Sequence, residues 1–110
     1  MGSIGDFEQL ILFSILRLGG NAYGVSIRDT IEERTGRSVS AGAIYTALGR
    51  LEERGLVSSR VGEPTAGRAG RPRKYYALEP EGARALKNSY EAIRGVAAGL
   101  LPRLTDLAEG

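Results

Sequence analysis

Apolar residues crowd the stretch from Asp6 to Leu18, where Phe7, Leu10, Ile11, Phe13, Ile15, Leu16 and Leu18 leave little polar face. The spacing predicts a helix that is covered on more than one side. Asp6 is the expected cap, with Gln9 three residues later in capping-box spacing, and Gly19-Gly20 is the expected stop. Tyr23, Ile27 and Ile31 recur every four residues and predict a second helix from Gly24 to about Thr35, ended by Gly36. A third helix is predicted between Ser40, a suitable N-cap, and Gly55, a suitable stop. Its core side is Ile44, Ala47, Leu48 and Leu51, at i, i+3, i+4 and i+7. Its other side holds Gly42, Tyr45, Thr46 and Gly49, with Arg50 on the flank, and the carboxylates Glu52 and Glu53 come only at the end. A helix turned only to water normally shows more Glu and Lys; this side reads as one that approaches another surface closely.

Leu56–Val61 and Lys74–Leu78 read as strands. Alternation places Tyr76 and Leu78 on one face, Tyr75 and Arg73 on the other, with Tyr76 expected buried and Tyr75 partly exposed. About twelve residues rich in Gly, Pro and Arg join the two strands, whereas ordinary hairpin loops have about two to five. Glu79-Pro80 opens a last helix, with proline suited to the first turn. Within it Leu86, Tyr90, Ile93, Ala97, Leu100, Leu104 and Leu107 alternate spacings of four and three, a heptad seam. Pro102 is expected to kink that helix or end its regular part.

The predicted fold is therefore mainly α with a small β-hairpin: three helices, a hairpin wing and a long C-terminal helix, the order of a winged helix-turn-helix. With 110 residues there is one modest core. Residues 1–79 are expected to form the winged domain and residues 80–110 the dimerisation helix. Net charge is only +2, but its distribution is uneven. Residues 1–36 carry three cations and five acids; residues 37–78 carry eight cations and three acids; residues 79–110 carry four cations and five acids. The positive excess in the middle third points to a polyanionic partner, against the alternative of a solvated basic surface. The chain has no cysteine and no histidine, so disulfides, thiol redox chemistry and ordinary zinc sites are excluded, and no cofactor or metal is expected. No nucleophile–base pairing stands out, and an enzyme is the least supported class. No apolar run approaches the ~18–20 residues of a membrane helix, and no signal peptide is visible, so a cytoplasmic location is expected.

Three stretches resemble one family, the PadR-like transcriptional regulators: "LGGNAYGVSI", "GAIYTALGRLEERGLV" and "GRPRKYYALEPEG", together spanning about residues 10–82. The second is similar to the family's recognition-helix pattern and the third to its wing strand and following turn. The chain departs at Glu79, where the family commonly has a threonine that can cap the last helix; a carboxylate can cap too. It looks like the short subgroup with a single C-terminal helix. The resemblance implies a homodimeric repressor that binds a double-stranded DNA operator, with a small apolar effector at the dimer interface changing its affinity.

A winged helix lays its third helix in the major groove and its wing along the backbone or minor groove. The expected DNA-binding residues are Ser40, Gly42, Tyr45, Thr46, Gly49 and Arg50 on the helix, with Arg68, Arg71, Arg73 and Lys74 on the wing. Gly67, Gly70 and the loop length would let that wing follow the duplex. Arg50 has two readings: a phosphate or guanine contact, or a surface ion pair with Glu53. Arg37 and Arg60 are further phosphate candidates. The expected dimer interface is Phe7, Leu86, Tyr90, Ile93, Ala97, Leu100, Leu104 and Leu107; the alternative is that this seam packs on the first helix of its own chain. An effector pocket would be lined by Leu10, Ile11, Tyr90 and Ile93. The runner-up function is a protein–protein interaction module on the same fold, and nucleoid architecture without a specific operator is a further alternative.

Overall fold

A computed structural model describes residues 4–62 and 72–110. Helix α1 spans Asp6–Leu18, a 3₁₀ turn Gly19–Asn21, α2 Gly24–Thr35 and α3 Ala41–Glu53. Strands β1 (Val57–Val61) and β2 (Lys74–Leu78) form an antiparallel hairpin, and α4 (Pro80–Ala97) and α5 (Leu101–Glu109) complete the chain. This is a winged helix-turn-helix carrying a C-terminal helical arm.

The helices begin and end where local chemistry requires. Ser40 Oγ accepts from the Ala43 amide at 3.1 Å and so satisfies one of the unpaired donors at the start of α3. Gly36 and Gly55, with φ of 73° and 75°, take the left-handed conformation that ends α2 and turns the chain out of α3. At α1 the cap lies one residue earlier than expected. Gly5 is the N-cap, and its amide donates to Glu8 Oε1 at 3.0 Å. Asp6 is already helical and instead pairs with Arg37, 2.8 Å away. Ile4, buried in the core, fixes the chain just ahead of that cap.

The core is a cluster of Ile11, Leu12 and Ile15 from α1, Ile27 and Ile31 from α2, and Ile44, Leu48 and Leu51 from α3. Val57, Tyr76 and Leu86 close it from the hairpin and α4. The hairpin runs in register from Val57↔Leu78 to Val61↔Lys74. It is also tied to the start of α2. Tyr23 bridges Tyr75, and the Tyr76 amide donates to the Ala22 carbonyl at 2.8 Å. Gly82 lets α4 lie directly on the Leu56 backbone, whose carbonyl also accepts from the Glu79 amide at 3.0 Å.

The single long C-terminal helix expected from the heptad seam is two helices. α4 stops at Ala97, Gly99 turns with φ of 78°, and α5 starts at Leu101. Pro102 is the reason. It has no N–H for the Ala98 carbonyl, so it fits only in the first turn of a new helix. The break therefore falls upstream of the proline. Leu100 caps α5 instead of continuing the seam.

Candidate nucleic-acid interface

α3 buries Ile44, Ala47, Leu48 and Leu51 and turns its other side to solvent. Ser40, Gly42, Thr46, Gly49 and Arg50 are all exposed. Nothing lies within 4 Å of where a side chain on Gly42 or Gly49 would begin. The face is open, small and free of carboxylates until the last turn. Arg50 has no ion-pair partner among the described residues, so the pairing with Glu53 is not formed. Of the two acids that end the helix, Glu52 is occupied by the hairpin. Its carboxylate accepts from Ser59 Oγ at 2.6 Å and lies 3.7 Å from Lys74 Nζ.

Tyr45 has a double position. Its ring rests on Gly24, the first residue of α2, so closely that any Cβ there would collide with it, yet the side chain is 52% exposed. It thus packs against α2 and presents an edge to solvent beside Thr46.

The wing stem is ordered by aromatic rings. Tyr23 and Tyr75 meet edge to face, with centroids 5.6 Å apart. The Arg73 guanidinium stacks 4.2 Å from the centre of the Tyr23 ring, and that of Arg60 lies 4.7 Å from Tyr75. Lys74, exposed, points along the stem towards Glu52. The expected wing residues Arg68 and Arg71, with Gly67 and Gly70, lie outside the described residues. Arg37, bound to Asp6, is committed within the fold by a surface pair. Tyr76 is buried as its alternation with Tyr75 predicts. Burial, then the nearby Glu52 carboxylate and Tyr45, push its phenol pKa above the usual value of 10.0.

Tyr23 is the residue that sequence reasoning missed. Its place just ahead of α2, as the extended N-cap, agrees with a helix beginning at Gly24, but its contacts with Tyr75 and Arg73 of the wing stem were not expected. The only sequence signal was the pair of tyrosines in the opposite strand, which need partners when half-buried.

The sequence profile of the Transcriptional regulator PadR-like family matches residues 12–88. The chain belongs to the PadR-like family of transcriptional regulators. Solved structures of PadR-like proteins share the fold. A PadR family transcription regulator from Clostridium difficile R20291 is 28% identical, with TM-score 0.71 over 89% of this chain and 98% of that one. A PadR family transcriptional regulator from Eggerthella lenta DSM 2243 is 26% identical, with TM-score 0.69 over 89% and 80%. A PadR-like transcription factor from Bacteroides fragilis is 27% identical, with TM-score 0.66 over 82% of each chain. No match is found among curated proteins.

The PadR-like fold distributes the expected dimer residues unevenly. Leu86 is a core residue of its own chain, 3% exposed. It sits where α4 still touches α1, before the arm leaves the body. Phe7 is half-buried against the same core. Tyr90 meets Phe13 of α1 edge to face, with centroids 5.6 Å apart. From Ile93 onward the arm is bare: Ile93, Leu100, Leu104 and Leu107 are 52–69% exposed, and Ala97 is exposed. The four expected effector-pocket residues line no single groove among the described residues. Ile11 is fully buried, Leu10 borders α2, and Ile93 is on the bare arm. A shallow groove of about 260 Å³ lies instead between α1 and α4, lined by Phe13, Leu16, Leu78, Leu86 and Tyr90. No helix among the described residues is long and apolar enough to cross a membrane.

Proposed function

We propose that this PadR-like chain is a homodimeric, sequence-specific DNA-binding repressor, with α3 in the major groove and the cationic hairpin on the phosphate backbone. One observation carries the reading: the open side of α3, with no acid before its last turn, stands beside the stem that bears Arg60 and Lys74. Ser40, Thr46 and Tyr45 offer hydroxyls for phosphate or base contacts, and the start of α3 favours an anion. Gly42 and Gly49 let the duplex come near the helix backbone. Arg50, exposed, would contact a phosphate or a guanine edge. Arg68 and Arg71 add phosphate contacts from the wing.

The dimer half of the proposal rests on the bare arm. A nine-residue helix such as α5 is marginal alone in water, and its leucines gain only when covered. A second copy supplies a matching face. A small apolar effector would enter the groove beside Phe13, Leu16 and Tyr90, next to that interface.

The test is selection of bound duplexes from a random pool. Enriched sequences should be pseudo-palindromic, with half-sites about one helical turn apart. Recovery of duplexes without any enriched sequence would favour architectural binding, and recovery of none would favour a protein partner.

A further inference from the structure

Arg73 has the composition of a phosphate contact but not its placement. Its guanidinium lies on the Tyr23 ring at 4.2 Å. Its Nε is shut from solvent and has no hydrogen-bond partner among the described residues. Its carbonyl accepts from the Gly62 amide at 2.7 Å, extending the hairpin pairing one step beyond Val61. Tyr23 in turn meets Tyr75 edge to face, and the Arg60 guanidinium lies over the Tyr75 ring. The result is a four-membered stack, Arg73–Tyr23–Tyr75–Arg60, that spans the start of α2 and both strands of the wing stem. A cation over a tyrosine face is attracted to the ring's negative π density, and more so when partly desolvated. Pulling Arg73 outward to a phosphate would undo the stack at its first member.

We infer that Arg73 is a positioning residue: it stays on Tyr23 and fixes the angle of the wing against the helix-turn-helix, leaving phosphate neutralisation to other cations. The inference deepens the DNA-binding reading and rests on it for its binding consequences. It predicts that Tyr23 and Arg73 act as one unit although only one of them is charged.

The test is a double-mutant cycle of Arg73→Ala and Tyr23→Leu in the full chain, read by duplex affinity against salt concentration and by amide exchange of the free protein. Each single variant should lose about three- to thirtyfold in affinity on all duplexes alike, and the double variant little more than either. The log–log salt slope should stay at its wild-type value. Arg73→Lys should fail to restore affinity, because an ammonium lacks the planar stacking surface. In the free protein, exchange at the Tyr76 amide, which bonds Ala22, should quicken while that of Leu48 in the core should not.

A slope reduced by about 0.9 for each arginine removed, with rescue by lysine and no effect of Tyr23→Leu, would make Arg73 a phosphate ligand and overturn the inference. So would unchanged exchange at Tyr76 in Arg73→Ala. The exchange measurement needs no DNA, so a wild-type protein that ignores every duplex defeats the functional reading while the positioning role is still decided.

Discussion

A Cβ on Gly82 would collide with the carbonyl of Leu56, a backbone atom held in place by the Glu79 amide. Backbone cannot yield as a side-chain tip can, so Gly82→Ala should destabilise the fold by about 1–3 kcal/mol or more. Urea denaturation of the variant would measure this. Gly49 is the contrasting case: its surroundings are empty, and Gly49→Ala should leave stability unchanged or raise it by up to ~1 kcal/mol. If the open side of α3 meets DNA, the same substitution should weaken duplex binding. Tyr76 supplies a pH dependence. Its phenol is held above the ordinary value by burial first, with Glu52 and Tyr45 adding to it. The unfolded chain loses that proton near pH 10 while the folded one keeps it. The contribution is therefore complete below about pH 10 and is lost as pH rises towards the folded pKa. Denaturation midpoints should fall less steeply above pH 10 for Tyr76→Phe than for wild type. The two tyrosines show what a sequence can and cannot reveal at this scale. Strand alternation separates buried Tyr76 from half-exposed Tyr75, because a period of two is local. The edge-to-face contact of Tyr23 with Tyr75 joins residues far apart in the chain, and no spacing rule reports it.

Among the elements, α3 was the most legible because its start, stop and apolar period agree. The cap bond from Ser40 should be worth about 1 kcal/mol, so Ser40→Ala should lower the thermal midpoint by a few degrees. The cap of α1 was misread by one residue. Asp6 and Gln9 fit the capping pattern, but Gly5 and Glu8 fit it equally well one step earlier, and burial of Ile4 selects the earlier register. The arm is interrupted near Pro102 as expected, but the break falls upstream of the proline and separates two helices. A run of apolar residues at spacings of three and four predicts a continuous helix only while every residue tolerates helical backbone. Pro102 does so only in a first turn, and Gly99 takes the left-handed conformation that the turn between α4 and α5 requires. A side chain at that position carries a cost of roughly 1–2 kcal/mol. Gly99→Ala should thus destabilise the turn and change the setting of α5, visible as altered association of the arm in sedimentation.

At the scale of the whole molecule the radius of gyration is 16.2 Å, against about 13 Å for a compact domain of this length. The excess reflects an arm that leaves the body after Tyr90 with its leucines uncovered. Two copies joined along such arms would place two recognition helices on one duplex. Leu104→Glu puts a charge in the middle of the bare face, so the protein should sediment as a monomer and lose operator affinity, while its winged domain stays folded by circular dichroism. A dimer surviving that substitution would remove the arm from the interface. The PadR-like fold itself was legible from the order of helices, hairpin and arm, and the excess of cations in residues 37–78 pointed to the face proposed to meet DNA. The individual tasks of those cations were not, because charge alone does not distinguish Arg50, open to solvent, from Arg73, stacked on a ring. The central claim is that this face neutralises phosphates, and the salt dependence of duplex affinity measures it directly. For a dimer contacting roughly eight phosphates, the log of the affinity should fall against the log of salt with a slope near −7. A slope near zero, or no binding to any duplex at low ionic strength, would contradict it.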